Sequence, residues 1–300
     1  MAEINPNISY ASIASGNFKI KDLSRFPLLP LKNYTFSSPF QQFFPFPYFI
    51  MNYLLKNPKS PDTLLKLYKS CKYFYLKQQI LIVSGEFIPG DNGTSLTYKA
   101  ELKKDISKLK KVHIWLNNDM MLRNSLSRFN FSQIYRSTIK YLCLHEMTLQ
   151  MNEFKLLVAE NCVEKTILYK SDVKDANAQN VSIDVILQLL PNLQNLLYIN
   201  ENEKFGLETL QKLKQIKFNQ KFHKIAVQLR NVSETFDSKL FFQFILQNVS
   251  SEACKIYFNF SGENSDEIKS NVKAAANEMV PTEKGIKSLK VYYNMRNGFE

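Results

Sequence analysis

The sequence predicts an α/β chain in which a short helical unit precedes a series of strand-then-helix repeats, their strands stacking into one curved parallel sheet. Three observations carry that expectation. An apolar frame, L-x-x-L-x-L, recurs from Leu109 to Val291 with its starts 24 to 33 residues apart. Stretches of helical apolar spacing lie between successive frames. The 300 residues include only eight glycines, and none forms the glycine-rich strand-to-helix turn that closes around a phosphate. A compact doubly wound sheet is the competing architecture, and the even spacing favours the repeat array.

Residues 1–40 mix Ser, Asn, Pro and isolated apolar residues without a sustained period, which predicts a flexible arm. Residues 41–80 form the helical unit. Phe46, Ile50, Tyr53 and Leu54 recur at helical spacing, and Pro47 suits a first turn, where its missing N–H costs nothing. A turn over Asn57 to Ser60 ends that helix. Ser60-Pro61-Asp62 then restarts one with an N-cap, a proline at the first helical position and an acid near the positive end. Leu64, Leu67, Tyr68, Cys71, Phe74 and Tyr75 make the apolar stripe of this second helix.

Residues 81–300 form the repeat domain. Its frames begin at Leu109, Ile139, Val163, Leu193, Phe222, Ala253 and Ile286. Helix signals follow at Met151 to Ala159, Ser182 to Leu190, Leu207 to Leu213, Phe236 to Leu246 and Asp266 to Met279. The period sits at the upper end of the leucine-rich-repeat range. Met147, Ser171, Glu201 and Arg230 occupy the place of the asparagine that caps the turn in regular repeats, so the arc is expected to be irregular.

The helical pair resembles an F-box. Phe46-Pro47 stands for the family's Leu-Pro; Ile50, Met51, Leu54 and Leu55 for its first helix; Leu64, Leu65 and Leu67 for its second; and Cys71-Lys72-Tyr73-Phe74 for its closing motif. The resemblance is closest to the expanded F-box families of nematodes, whose irregular repeat domain is also similar to residues 109–300. It implies a non-catalytic substrate-recognition subunit of an SCF-type cullin-RING ubiquitin ligase. The adaptor surface would comprise Phe46, Pro47, Ile50, Met51, Leu54, Leu64, Leu67, Tyr68, Cys71 and Phe74. The residues alone also permit an ordinary helical hairpin capping a leucine-rich-repeat-like interaction scaffold.

Within each frame the residues between the apolar positions fall on the open side of the sheet. They include Lys111, Trp115, Tyr141, His145, Lys165, Tyr169, Lys224, Lys255, Tyr257 and Lys290. Interleaved cations and aromatic rings can hold an acidic or phosphorylated protein segment, or they can form a plain solvated face. The net charge of +12 suits acidic partners, anionic membranes or nucleic acid alike. No RNP-type or helix-turn-helix pattern supports RNA or DNA.

No catalytic constellation is legible. The four cysteines are scattered without a CxxC pair, and His145-Glu146 lacks the second histidine of a zincin helix. No metal, cofactor or enzymatic activity is therefore expected. The apolar run Phe43 to Leu55 is too short and too proline-rich for a membrane span. Scattered cysteines that suggest no disulfide framework, and the lack of a secretory signal pattern, predict a cytoplasmic or nuclear setting.

Overall fold

The computed structural model describes residues 47–70, 72–90, 93–98, 102–105, 113–123, 131–200, 205–230, 236–250, 254–261, 265–279 and 289–293. The arm expected over residues 1–40 lies outside them, as do Phe46, Cys71, Leu109, Lys111, Val112, Ala253 and Ile286. By compactness the chain divides into Met1–Met51 and Asn52–Glu300. Of the first unit, residues 47–51 enter helix α1 (Tyr48–Lys56), where Ile50 N–H donates to the Pro47 carbonyl at 3.0 Å.

The rest is one α/β unit. Helix α2 (Pro61–Ser70) begins as its sequence signals require, with Ser60 Oγ accepting from Thr63 N–H at 3.2 Å and Asp62 in the first turn. Helix α3 (Lys72–Lys77) follows. Strands β1 (Ile80–Gly90), β2 (Gly93–Tyr98) and β3 (Leu102–Asp105) then form an antiparallel meander. Strands β4 (His113–Arg123) and β5 (Ile134–His145) are long. After them, short β6 (Thr148–Gln150), α4 (Met151–Val158), β7 (Lys165–Tyr169), β8 (Asp172–Lys174), α5 (Ile183–Gln188), β9 (Asn195–Ile199) and α6 (Leu207–Gln215) alternate. Strand β10 (Lys224–Arg230), α7 (Ser238–Asn248), β11 (Cys254–Ser261), α8 (Ser265–Met279) and β12 (Leu289–Tyr293) complete the chain.

The main sheet has ten strands in the order β12-β11-β10-β9-β7-β5-β4-β1-β2-β3, and every pairing from β12 to β1 is parallel. From β1 through β4 to β12 the order follows the chain; it reverses only at β1, whose other neighbours β2 and β3 are an antiparallel meander, so among the described strands the parallel part of the sheet contains no switch point. Consecutive helices α5 to α8 pack on one another and therefore share one face of the sheet. Between the layers lies the core: Leu142, Leu144, Leu168, Leu196, Tyr198, Ile225, Val227, Ile256 and Phe258 meet Phe154, Leu187, Leu210, Phe241, Phe242 and Val272. The frame starts Ile139, Val163, Leu193 and Phe222 are buried with them.

The helix starts are locally encoded. Asp237 accepts from Lys239 N–H and Leu240 N–H at 2.9 and 3.0 Å to open α7, and Gln150 N–H donates to Glu153 Oε2 at 2.8 Å to open α4.

Two frames pair otherwise than their sequence alignment implies. Met120 and Leu122 stand opposite Leu142 and Leu144, whereas Ile114 stands opposite Ile134. The register slips by one residue between Ile114 and Trp115 and again between Asn118 and Asp119, β5 carrying the extra residue each time, and Asn118 has φ of 51° at the second slip. At the other end Val291, not Leu289, pairs with Ile256. A displacement by an even number of residues, two at β12 and eight at β4, leaves every side chain on the same face, so the apolar pattern is blind to it.

Packing is continuous across residues 80/81. Leu64 of α2 forms a buried cluster with Ile80 and Trp115, and Tyr68, Ile82 and Tyr135 pack against it. Because Ile114 and Leu116 face the main core, Trp115 lies on the opposite side, and α2 covers that side over β1 and β4. Two residues of β5 also hold the turn between α1 and α2. Tyr135 OH donates to the Lys56 carbonyl at 2.8 Å, and Arg136 Nη1 donates to the Pro58 carbonyl at 3.1 Å.

Candidate binding surface

Past β5 the side of the sheet away from the helices carries three rows of side chains, set by the parallel register. In one row Tyr141, Lys165, Asn195 and Lys224 are successive partners on β5, β7, β9 and β10. Lys255 and Lys290 continue the same backbone register, and Asp119 of β4 precedes Tyr141. The next row runs through Cys143, Ile167 and Leu197, with Ala226 beside Tyr257 beyond them. The third holds His145, Tyr169 and Ile199.

Leu197, Ile199 and Ala226 are buried here, with Ile167, Tyr169 and Tyr257 packed around them. They form a small apolar floor on the side opposite the main core. Above it lies a hollow of ≈ 210 Å³ lined by Tyr141, Lys165, Ile167, Asn195, Leu197 and Lys224. The Lys165 ammonium sits 4.3 Å from the Tyr141 ring centre, and that of Lys224 sits 5.1 Å from the Tyr257 ring centre. His145 stacks on Tyr169 with centroids 4.5 Å apart and planes 20° from parallel. Burial, and next the neighbouring Cys143, push the Tyr141 phenol up to about 12. It is therefore a neutral hydrogen-bonding group throughout the physiological range.

The structure thus brings together Tyr141, His145, Lys165, Tyr169, Lys224 and Tyr257 on one face, with Lys255 and Lys290 in register. Trp115 does not belong to it. Its side chain is 0% exposed beneath α2, its Nε1 donates to Thr138 Oγ1 at 2.8 Å, and the Arg136 guanidinium lies 5.1 Å from its ring. Arg136 is itself forked onto Glu160 at 3.0 and 3.2 Å, and that pairing holds its guanidinium pKa above the usual value. The burial of Trp115 reflects the docking of a helix fifty residues away in sequence, to which strand alternation carries no clue. Asn195, Ile167, Leu197 and Ala226 were not singled out from sequence. For Leu197 the available signal was the unbroken apolar run Leu196 to Ile199, which marks a strand covered on both faces.

The residues assigned to an adaptor by resemblance divide as well. Leu64 is fully buried against the sheet and Phe74 is buried, so both face the chain's own interior. Tyr68 OH donates to the Gln78 carbonyl at 2.6 Å and accepts from Ile80 N–H at 3.2 Å, tying α2 to β1. Met51 is buried, and Ile50 and Leu67 are half-buried. Pro47 and Leu54 are exposed, Leu54 at 39%. Tyr53 at 66% and Leu65 at 40% are exposed on the same two helices.

Among the described residues no helix is long and apolar enough to cross a membrane. Compared with models of known protein families and with curated proteins, the chain finds no match.

Proposed function

We propose that this chain is a non-catalytic substrate-recognition subunit of an SCF-type cullin-RING ubiquitin ligase. Helices α1 and α2 take a Skp-type adaptor. The parallel sheet, an irregular leucine-rich-repeat-like solenoid, holds a target protein on its open face. The observation that carries this reading is the exposure of Tyr53, Leu54 and Leu65 on a helical pair that is otherwise pinned to the sheet. Large apolar side chains left in water on a rigid mount are the ordinary mark of a partner site.

A second reading has its own support. The complete burial of Leu64 against Ile80 and Trp115 is what a capping hairpin of an interaction scaffold requires, with no ligase role. Binding of the full chain to a purified Skp-type adaptor separates the two. Under the ligase reading the wild type binds at micromolar concentration or better, and Leu54→Asp with Leu65→Asp abolishes binding while the circular dichroism spectrum is unchanged. A wild type that ignores the adaptor leaves the scaffold.

A further inference from the structure

Building on the open face as the target-holding surface, we infer that it binds an acidic, extended segment of a partner protein. The segment carries two carboxylates about three to six residues apart, in place of a single phosphorylated side chain. The inference begins from where the two ammonium groups point. Lys165 on β7 leans over Tyr141 on β5, and Lys224 on β10 leans over Tyr257 on β11. The two cations diverge, each toward a ring on the far side of its own strand.

Lys165 and Lys224 stand two strand spacings apart, roughly 10 Å at about 4.8 Å per spacing, and the rings toward which they lean stand on strands four spacings, roughly 19 Å, apart, so the ammonium groups lie between those two separations. One phosphate cannot approach both cations across that span. An extended chain rises about 3.4 Å per residue, so two carboxylates about three to six residues apart match it.

What lies between the cations suits the middle of such a segment. Asn195 stands between Lys165 and Lys224 and offers both an amide donor and an acceptor to a passing backbone. Ile167 and Leu197 form the floor beneath it and accommodate small apolar side chains. The rings hold the ammonium groups in place without cancelling their charge. On β7, β9, β10 and β11 no described side chain of this face is acidic, whereas Asp119 stands beyond Tyr141 at the β4 end. An acidic ligand is therefore repelled past Tyr141 and extends from Lys165 toward β11 and β12, whose Lys255 and Lys290 continue the backbone register.

The test is fluorescence anisotropy of the full chain with labelled ten-residue peptides. One carries two glutamates about four residues apart among Ser, Ala and Val. A second carries glutamine at both positions, and a third carries one phosphoserine and one glutamine. The two-glutamate peptide is expected to bind at least about tenfold more tightly than either of the others, and to weaken as salt rises. Lys165→Glu and Lys224→Glu should each cut its affinity by about tenfold or more. The milder Lys165→Gln and Lys224→Gln should cut it by a smaller factor, and all four variants should keep an unchanged thermal melt. Equal binding of the glutamine peptide, tightest binding of the phosphoserine peptide, stronger competition by single-stranded RNA, or folded Lys→Glu variants that bind like wild type would each overturn the inference. The Leu54→Asp, Leu65→Asp chain should still bind the peptide. Loss of adaptor binding and loss of peptide binding therefore report separately on the ligase reading and on this one.

Discussion

Asn200 donates its side-chain amide to the Ser171 carbonyl at 3.2 Å and joins three successive strand ends into one ladder. Ser171 Oγ in turn accepts from Met147 N–H at 3.1 Å and donates to the Tyr169 carbonyl at 3.0 Å. The Asn200 amide also reaches Asp172 Oδ1 at 3.0 Å. Beneath this ladder the turns repeat. Glu146 and Lys170 each follow a strand in the left-handed region, with φ of 53° and 46°, and their N–H groups donate to Tyr169 and Ile199 of the next strand.

Removing the Asn200 amide takes a donor from the buried Ser171 carbonyl. Asn200→Ala is expected to lower unfolding free energy by about 1–3 kcal/mol, read from the urea midpoint at constant slope. A midpoint unchanged in Asn200→Ala would mean that water serves the Ser171 carbonyl equally well.

Trp115, the one tryptophan of the chain, reports directly on the docking of α2. Its emission should be blue-shifted and resistant to iodide quenching, and it should not respond to a ligand on the open face. Trp115→Ala should cost about 3–5 kcal/mol. An iodide-quenchable indole in the folded protein contradicts its burial.

Leu168 is buried between its register partners Leu144 and Tyr198, facing the helices. Leu168→Asp places an unpaired charge there and should destabilise by several kcal/mol, of the order of 3–5. Because neighbouring repeats share their core, the loss should broaden or lower the whole circular dichroism melt and should not remain local.

Tyr68 and Tyr141 are both pushed up to about 12 by burial. The folded chain holds their protons more tightly than the unfolded chain, in which a tyrosine ionises near 10. Their contribution to stability is therefore fully present below pH 10 and is lost as pH rises toward 12. Ultraviolet titration should resolve late-ionising tyrosines, and Tyr141→Phe should make the alkaline fall in denaturation midpoint shallower. A Tyr141→Phe chain with the wild-type alkaline slope would place the Tyr141 phenol in open solvent.

Turn chemistry was legible in part. Ser60-Pro61-Asp62 announced α2, because a cap depends only on residues within one turn. Pro89-Gly90-Asp91-Asn92-Gly93 is an equally plain turn signal between two strands, and its meander was not read from sequence because the apolar frame starts later. The capping position of the ladder falls on Asn200, whereas the frame assigns it to Glu201, which lies outside the described residues. Hydrogen-bond geometry at the strand end, which one residue of slack can shift, decides that.

By itself the sequence determined the alternation of strands and helices from β5 to α8 and the inward side of each strand, since these follow from local period and local caps. It also determined that Lys165 and Lys224 share a slot, because equivalent frames carry equivalent residues. Only the tertiary structure decided that α2 covers Trp115, that Met120 and Leu122 oppose Leu142 and Leu144, and that Leu197 and Ala226 form a floor between two diverging lysines. Alternation along a strand defines two faces but is indifferent to a slip of two, and it carries no information about which distant segment covers either face. That choice belongs to packing between residues far apart in the chain, where shape and buried area select one arrangement among several that the local pattern permits equally.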